Sequence, residues 1–162
     1  MRKTKTNKIV VITGGGGFIG ANLTRCLLDL DYEVHVLWKK SSDPWRLADI
    51  KGQIIFHNTD IVNQINLKSL LTKINPSIIF HLATHSSYRN QEKAREIFDT
   101  SINGTLNLLL ATKDISYKIF INTGSSSEYG LKEKPMKETD LLEPNSFYAA
   151  AKSGQTLLCQ TF

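Results

Sequence analysis

Tyr148 and Lys152 stand four residues apart in the run Tyr148-Ala149-Ala150-Ala151-Lys152. On a helix that spacing puts both side chains on one face, with the phenol and the ammonium a turn apart. A phenol titrates near pH ~10 in water, too high for a base at neutral pH. A neighbouring ammonium stabilises the phenolate and brings it toward the working range, which suits the pair to moving a proton on a hydroxyl or carbonyl. Upstream lies the run Ser125-Ser126-Ser127, whose hydroxyls can hydrogen-bond a substrate oxygen and orient it.

A second cluster lies near the other end of the chain. The apolar run Ile9-Val10-Val11-Ile12 leads into Thr13-Gly14-Gly15-Gly16-Gly17-Phe18-Ile19-Gly20. Gly14, Gly17 and Gly20 form G-x-x-G-x-x-G, and Gly15, Gly17 and Gly20 also satisfy G-x-G-x-x-G. One glycine allows a tight turn out of a strand, one lets backbone approach a pyrophosphate, and one lets helix and strand pack closely. The helix that follows offers free N–H groups and the positive end of its dipole to the phosphates. The pattern predicts a dinucleotide cofactor held by Gly14, Gly17, Phe18, Ile19 and Gly20, with Tyr148 and Lys152 reaching its nicotinamide end.

NAD-preferring sites of this kind end the second strand with an acid, about 20 residues past the glycines. Here that strand ends Leu37-Trp38-Lys39-Lys40, with no acid until Asp43. A carboxylate repels a 2′-phosphate and lysines attract it, so Lys39 and Lys40, with Arg46 nearby, favour NADP over NAD. The same charges also fit a solvated basic loop.

The elements that must position these groups alternate regularly. Strands are expected at 8–13, 33–38, 53–57, 77–82 and 118–122. Between and after them, helices are expected at 18–30, 65–74, 91–112 and 147–162. The first helix carries Ile19, Leu23, Leu27 and Leu30 at helical spacing. Alternating strands and helices imply right-handed βαβ units and a doubly wound parallel α/β sheet, a Rossmann fold. In such sheets ligands bind beyond the carboxyl ends of the strands, where both clusters fall.

Bulk properties exclude other classes. The chain of 162 residues is one domain, with a basic tail over 1–7 and the α/β unit over 8–162. The net charge of +5 owes four of its basic groups to Arg2, Lys3, Lys5 and Lys8. The remainder is nearly balanced and presents no platform for nucleic acid. No apolar run approaches the ~20 residues a membrane helix needs. Cys26 and Cys159 lie far apart without metal-ligand spacing, and read as reduced core thiols of a cytoplasmic protein. No metal site is expected.

The glycine spacing after Thr13, followed by the serine loop and Tyr-x-x-x-Lys, resembles the extended short-chain dehydrogenase/reductase family of nucleotide-sugar epimerases, dehydratases and reductases. The resemblance runs from Lys8 to the last helix. It implies that Asp60, in Asn58-Thr59-Asp60-Ile61, contacts the adenine together with Ile61, although the same Asp60 is placed to cap the next helix. It implies a backbone contact from Ala83 in His81-Leu82-Ala83-Thr84, with His81 read as a structural histidine. Aligned on Tyr129-Gly130, the family's catalytic hydroxyl falls on Ser125, with Ser126 the alternative. The family's Asn before the Gly104-Thr105 pair is replaced here by Ser101, which alters a polar contact near the cofactor.

Dehydratases of the family place an acid two residues after the catalytic hydroxyl. Here Ser127 holds that position and Glu128 follows it, which favours an epimerase or ketoreductase, with a 4,6-dehydratase as the alternative. The family also implies a sixth strand and a C-terminal substrate domain, absent here, so the chain reads as an N-terminal part with a bare sheet edge. A non-catalytic dinucleotide-binding fragment is the competing class, and pairing of two copies through the fourth helix and the Tyr/Lys helix is the implied assembly.

Overall fold

Val10, Val11 and Ile12 are wholly buried in β1 (Ile9–Thr13), because helices cover both faces of this central strand. The computed structural model describes residues 8–85 and 93–162. The expected basic tail and the first residues of the helix expected from 91 lie outside the described residues. Around β1 the strands β2 (Glu33–Trp38), β3 (Ile55–Asn58), β4 (Ile78–His81) and β5 (Ile119–Asn122) form one parallel sheet in the order β3-β2-β1-β4-β5. Val11, Leu37 and Ile79 face a core with Leu67, Leu71 and Leu108. Val10, Ile12 and Val36 face the other, with Ala21, Leu27 and Leu47. The winding reverses between β1 and β4, and the crevice there is where such sheets bind ligands. At the far side β5 is an edge, and Ile119 and Ile121 are 49% and 38% exposed.

The helices are α1 (Phe18–Asp29), α2 (Gln64–Ile74), α3 (Ala94–Phe98), α4 (Gly104–Thr112) and α5 (Phe147–Gln160). Three features differ from the sequence expectation. First, α1 buries Gly20, Ala21, Thr24 and Leu27, while Ile19 and Leu30 are exposed. Small residues set that face because the helix runs against the glycine turn itself. Second, the single helix expected to 112 is broken by a π turn at Asp99–Asn103. There Ile102 packs on Gly154 of α5, where an added Cβ would lie 2.6 Å from Ile102 Cδ1. Third, a 3₁₀ segment at Trp45–Gln53, unforeseen in the sequence, buries Leu47 completely. Neither thiol is in the core as expected: Cys26 is exposed and Cys159 half-buried.

A buried chain of hydrogen bonds joins the exits of β1 and β4. The Thr105 hydroxyl donates to the Ser101 carbonyl at 2.6 Å, so its oxygen accepts from His81 Nε2–H at 2.8 Å. His81 is therefore neutral, and its Nδ1 accepts from the Thr13 hydroxyl at 2.7 Å. The Thr13 oxygen accepts in turn from the backbone N–H groups of Leu82 (3.2 Å) and Ala83 (3.1 Å). Burial, reinforced by the charge of Lys152, lowers the His81 pKa from 6.5 to about 3.

Because the folded pKa is the lower one, the unfolded chain binds more protons below pH 6.5. The stability His81 contributes is complete above that value and is lost as pH falls toward about 3. At pH 5 the loss from this residue is about 2 kcal/mol, added to a smaller one from His57, whose pKa is also lowered by burial, His35 and Lys73. Urea unfolding at pH 7 and pH 5 measures it. His81→Gln is expected to be less stable at pH 7 but to show a distinctly flatter pH dependence; an unchanged slope would rule His81 out as the source.

Candidate active site

The glycine turn is held by contacts that leave no room for a side chain. Gly14 has φ +71°, and a Cβ there would lie 2.8 Å from the backbone of Leu82 and Ala83. A Cβ on Gly20 would lie 2.4 Å from the Gly14 carbonyl oxygen. Gly17 begins α1 with no side-chain cap, which leaves the first-turn N–H groups of the helix open to an anion. Beyond this turn lies a cleft of about 520 Å³ lined by Gly14 to Gly17, Lys39, Ser41 to Asp43, Asp60, Ile61 and Ala83, among others. Phe18, Ile19 and Gly20, in the first turn of α1, are outside its lining, and Phe18 and Ile19 are exposed. The cradle fits a pyrophosphate, since backbone at Gly14 to Gly17 can approach a ligand as no other residue would allow.

The cations expected at the second strand do not converge. Lys39 lines the cleft, with Nζ 3.0 Å from the Asp60 carboxylate. Lys40 is exposed and outside the lining, and Arg46 stacks on Trp45 at 4.3 Å. Asp60 does not cap α2, a place taken by Asn63; its carboxylate accepts instead from Val62 N–H at 3.1 Å. Ile61 is buried against Gly104 and still borders the cleft. Ala83 also borders the cleft, and its N–H is spent on Thr13. His85 is a further lining residue.

Ser146 caps α5 by accepting from Ala149 N–H at 3.0 Å, which sets the start of the helix that carries Tyr148 and Lys152. Tyr148 is half-buried in the first turn. Lys152 is 3% exposed, and its Nζ donates to the Thr123 carbonyl at 2.7 Å and to Gln155 Oε1 at 2.9 Å. Gln155 Nε2 donates to Asn122 Oδ1 at 2.7 Å. Sequence reading missed Gln155; its only signal was a polar residue one turn after Lys152 on the helix face turned to the sheet. Burial pulls the Lys152 pKa below the ordinary lysine range, while Glu128 and Cys159 act in the opposite direction.

Ser125 begins a short 3₁₀ turn at Ser126–Tyr129. Its hydroxyl oxygen accepts from Ser127 N–H at 3.2 Å, and its own N–H donates to Glu128 Oε1 at 2.6 Å. Glu128, 2% exposed, thus closes a capping box beneath the loop. Ser125 and Glu128 border a cavity of about 370 Å³ with Gly124, Thr156 and Cys159, whereas Ser126 is exposed and outside it. Ser101 is wholly buried and its hydroxyl has no hydrogen-bond partner among the described residues. Asn103 does not replace the missing contact, since its amide donates to Asp99 at the surface. Among the described residues, no group of His, Cys, Asp or Glu is arranged to hold a metal, and no helix is long and apolar enough to cross a membrane.

A parallel sheet with a glycine turn at its first strand exit, and Tyr-x-x-x-Lys on a helix after β5, defines a dinucleotide-binding unit of the short-chain dehydrogenase/reductase type. The family model for GDP-mannose 4,6 dehydratase matches residues 11–162. The chain belongs to the extended short-chain dehydrogenase/reductase family of NAD-dependent epimerases and dehydratases. It is 32% identical to GDP-mannose 4,6 dehydratase from Cricetulus griseus, over 93% of this chain and 44% of that protein. It is also 32% identical to UDP-glucuronate 4-epimerase from Thermodesulfobacterium geofontis, over 94% of this chain and 50% of that protein. The UDP-glucose 4-epimerase of Thermus thermophilus, solved in complex with NAD, superposes with a TM-score of 0.83 at 26% identity, over 94% of this chain and 50% of that one. The chain therefore spans about half the length of these relatives.

Gly20→Ala tests the packing of the turn. With backbone rather than a flexible side chain in the way, the variant is expected to lose about 2 kcal/mol or more of stability, read by urea unfolding, and to lose dinucleotide binding. A variant that matches the parent in both would show that α1 does not need its close approach to Gly14.

Proposed function

We propose that this chain is the cofactor half of an NAD(P)-dependent enzyme that epimerises or reduces a nucleotide-linked sugar. Ser125 would hold the reacting oxygen of the sugar, Tyr148 would give or take its proton, and Lys152 would favour the phenolate. The nicotinamide, when bound, supplies the acceptor or donor of hydride. The observation that carries this reading over water elimination is the place of Glu128. Its Oε1 is engaged under the loop by the Ser125 N–H, which favours a capping role over that of the acid/base an elimination needs. The dehydratase reading is favoured by the family model and by the first of the two relatives.

Product analysis by NMR, after incubating the enzyme that contains this chain with GDP- and UDP-hexoses and dinucleotide, separates the two. A C4-epimer, or reduction of a supplied 4-keto sugar, is expected, with loss of ~100-fold or more in Tyr148→Phe and little change in Glu128→Gln. A 4-keto-6-deoxy product abolished by Glu128→Gln would establish the dehydratase instead.

The preference for NADP rests on Lys39, flanked in the cleft by the hydroxyl-bearing Ser41 and Ser42. A 2′-phosphate there would share the lysine with Asp60 and meet Asp43, so the preference should be modest. Calorimetric titration is expected to give NADPH the tighter binding, with the difference removed in Lys39→Ala. Tighter binding of NADH by the parent chain would overturn it.

A further inference from the structure

Gln155 is wholly buried on a helix whose neighbouring inward positions are Ala151, Lys152 and Ser153. A buried amide costs free energy unless both its ends are satisfied. Here the chemistry of the partners dictates its orientation. An ammonium can only donate, so Oε1 faces Lys152 at 2.9 Å and Nε2 must find an acceptor, which is Asn122 Oδ1 at 2.7 Å. Asn122 ends β5 and Thr123 follows it, and the Thr123 carbonyl takes a second N–H of Lys152 at 2.7 Å. The ammonium is thus pinned between the strand exit and an amide that is itself anchored to the same strand exit.

We propose that Gln155 is a positioning residue for Lys152: anchored on Asn122, its amide oxygen fixes the direction of the ammonium and commits a second N–H, so that a single N–H serves the site. This rests on the reading of Lys152 as a site residue. Both acceptors are neutral, so the ammonium is oriented without the strong stabilisation a bonded carboxylate would give. The charged or titratable groups around it are Glu128 from the serine loop, Cys159 and Tyr148 from its own helix, and His81 from β4. Glu128, the one carboxylate among them, is bonded to the Ser125 N–H.

The test is an NMR pH titration of Lys152 in the 162-residue chain carrying ¹³C-labelled lysine, in the parent, Gln155→Glu and Gln155→Leu. Gln155→Glu keeps the shape and places a charge on the ammonium, so the Lys152 midpoint should rise by about one pH unit or more. Gln155→Leu removes an acceptor and should lower it. The alkaline limb of NADPH binding, followed by calorimetry across pH, should move in the same directions. An unmoved midpoint in folded Gln155→Glu, with native amide spectra, would overturn the proposal whatever becomes of the leucine variant. If the parent chain binds no dinucleotide, the cofactor reading fails while the lysine titration still decides the role of Gln155.

Discussion

The Thr13 hydroxyl is the point from which the rest of the cleft is set. It sits at the last residue of β1, directly before Gly14, and its oxygen receives the N–H groups of Leu82 and Ala83 where β4 ends. Its proton goes to His81, which passes the connection on to Thr105 of α4. Two strand exits and a helix are thereby locked together in the one place where a doubly wound sheet opens. The left-handed Gly14 then turns within van der Waals limits of the same Leu82–Ala83 backbone. A neutral imidazole has one N–H to donate and one bare ring nitrogen to accept, so it can join two hydroxyls on opposite sides of its ring. The low pKa of His81 follows from its burial at this junction and from the nearby charge of Lys152.

A second theme is that close backbone approach, rather than charge, shapes the cofactor cleft. Gly14 and Gly20 admit no Cβ, and a Cβ on Gly15 would lie 2.7 Å from the nearer methyl of Val36. The first turn of α1 offers N–H groups in place of a cationic side chain. The one lysine among the described residues that line the cleft is balanced by Asp60. At the other end the lysine of the Tyr-x-x-x-Lys pair is likewise held by neutral oxygens. Dipoles fixed before a ligand arrives require little reorganisation when it binds, the condition under which such sites are most effective.

In the serine loop a local motif assigns each polar group its partner. Three serines and a glutamate are all chemically able to bond a sugar hydroxyl. The capping box distributes them: Ser125 begins the turn, Ser127 donates its N–H to it, and Glu128 folds back under the loop. The glutamate carboxylate is thus held by backbone, and the proposal of epimerisation or reduction over elimination rests on that.

Much of this protein could be read from residue types and spacing alone. The glycine pattern after an apolar strand, the alternation of strands and helices, and the Tyr148–Lys152 pair each depend on short-range geometry, so they announced the parallel sheet, the winding and the family. The boundaries of β2 agreed to the residue, and His81 was recognised as structural. What the sequence left open required knowing which atoms meet across the sheet. The buried face of α1 is set by its approach to Gly14, not by its largest side chains. The break in the helix before Gly104 arises where Ile102 packs on Gly154, and the pairing of Lys39 with Asp60 joins the ends of neighbouring strands. Glu128 beneath Ser125 and Gln155 beside Lys152 were equally hidden. Local periodicity fixes which elements form, but the orientation of a buried polar group depends on partners far away in the chain, and only the packed structure brings those together.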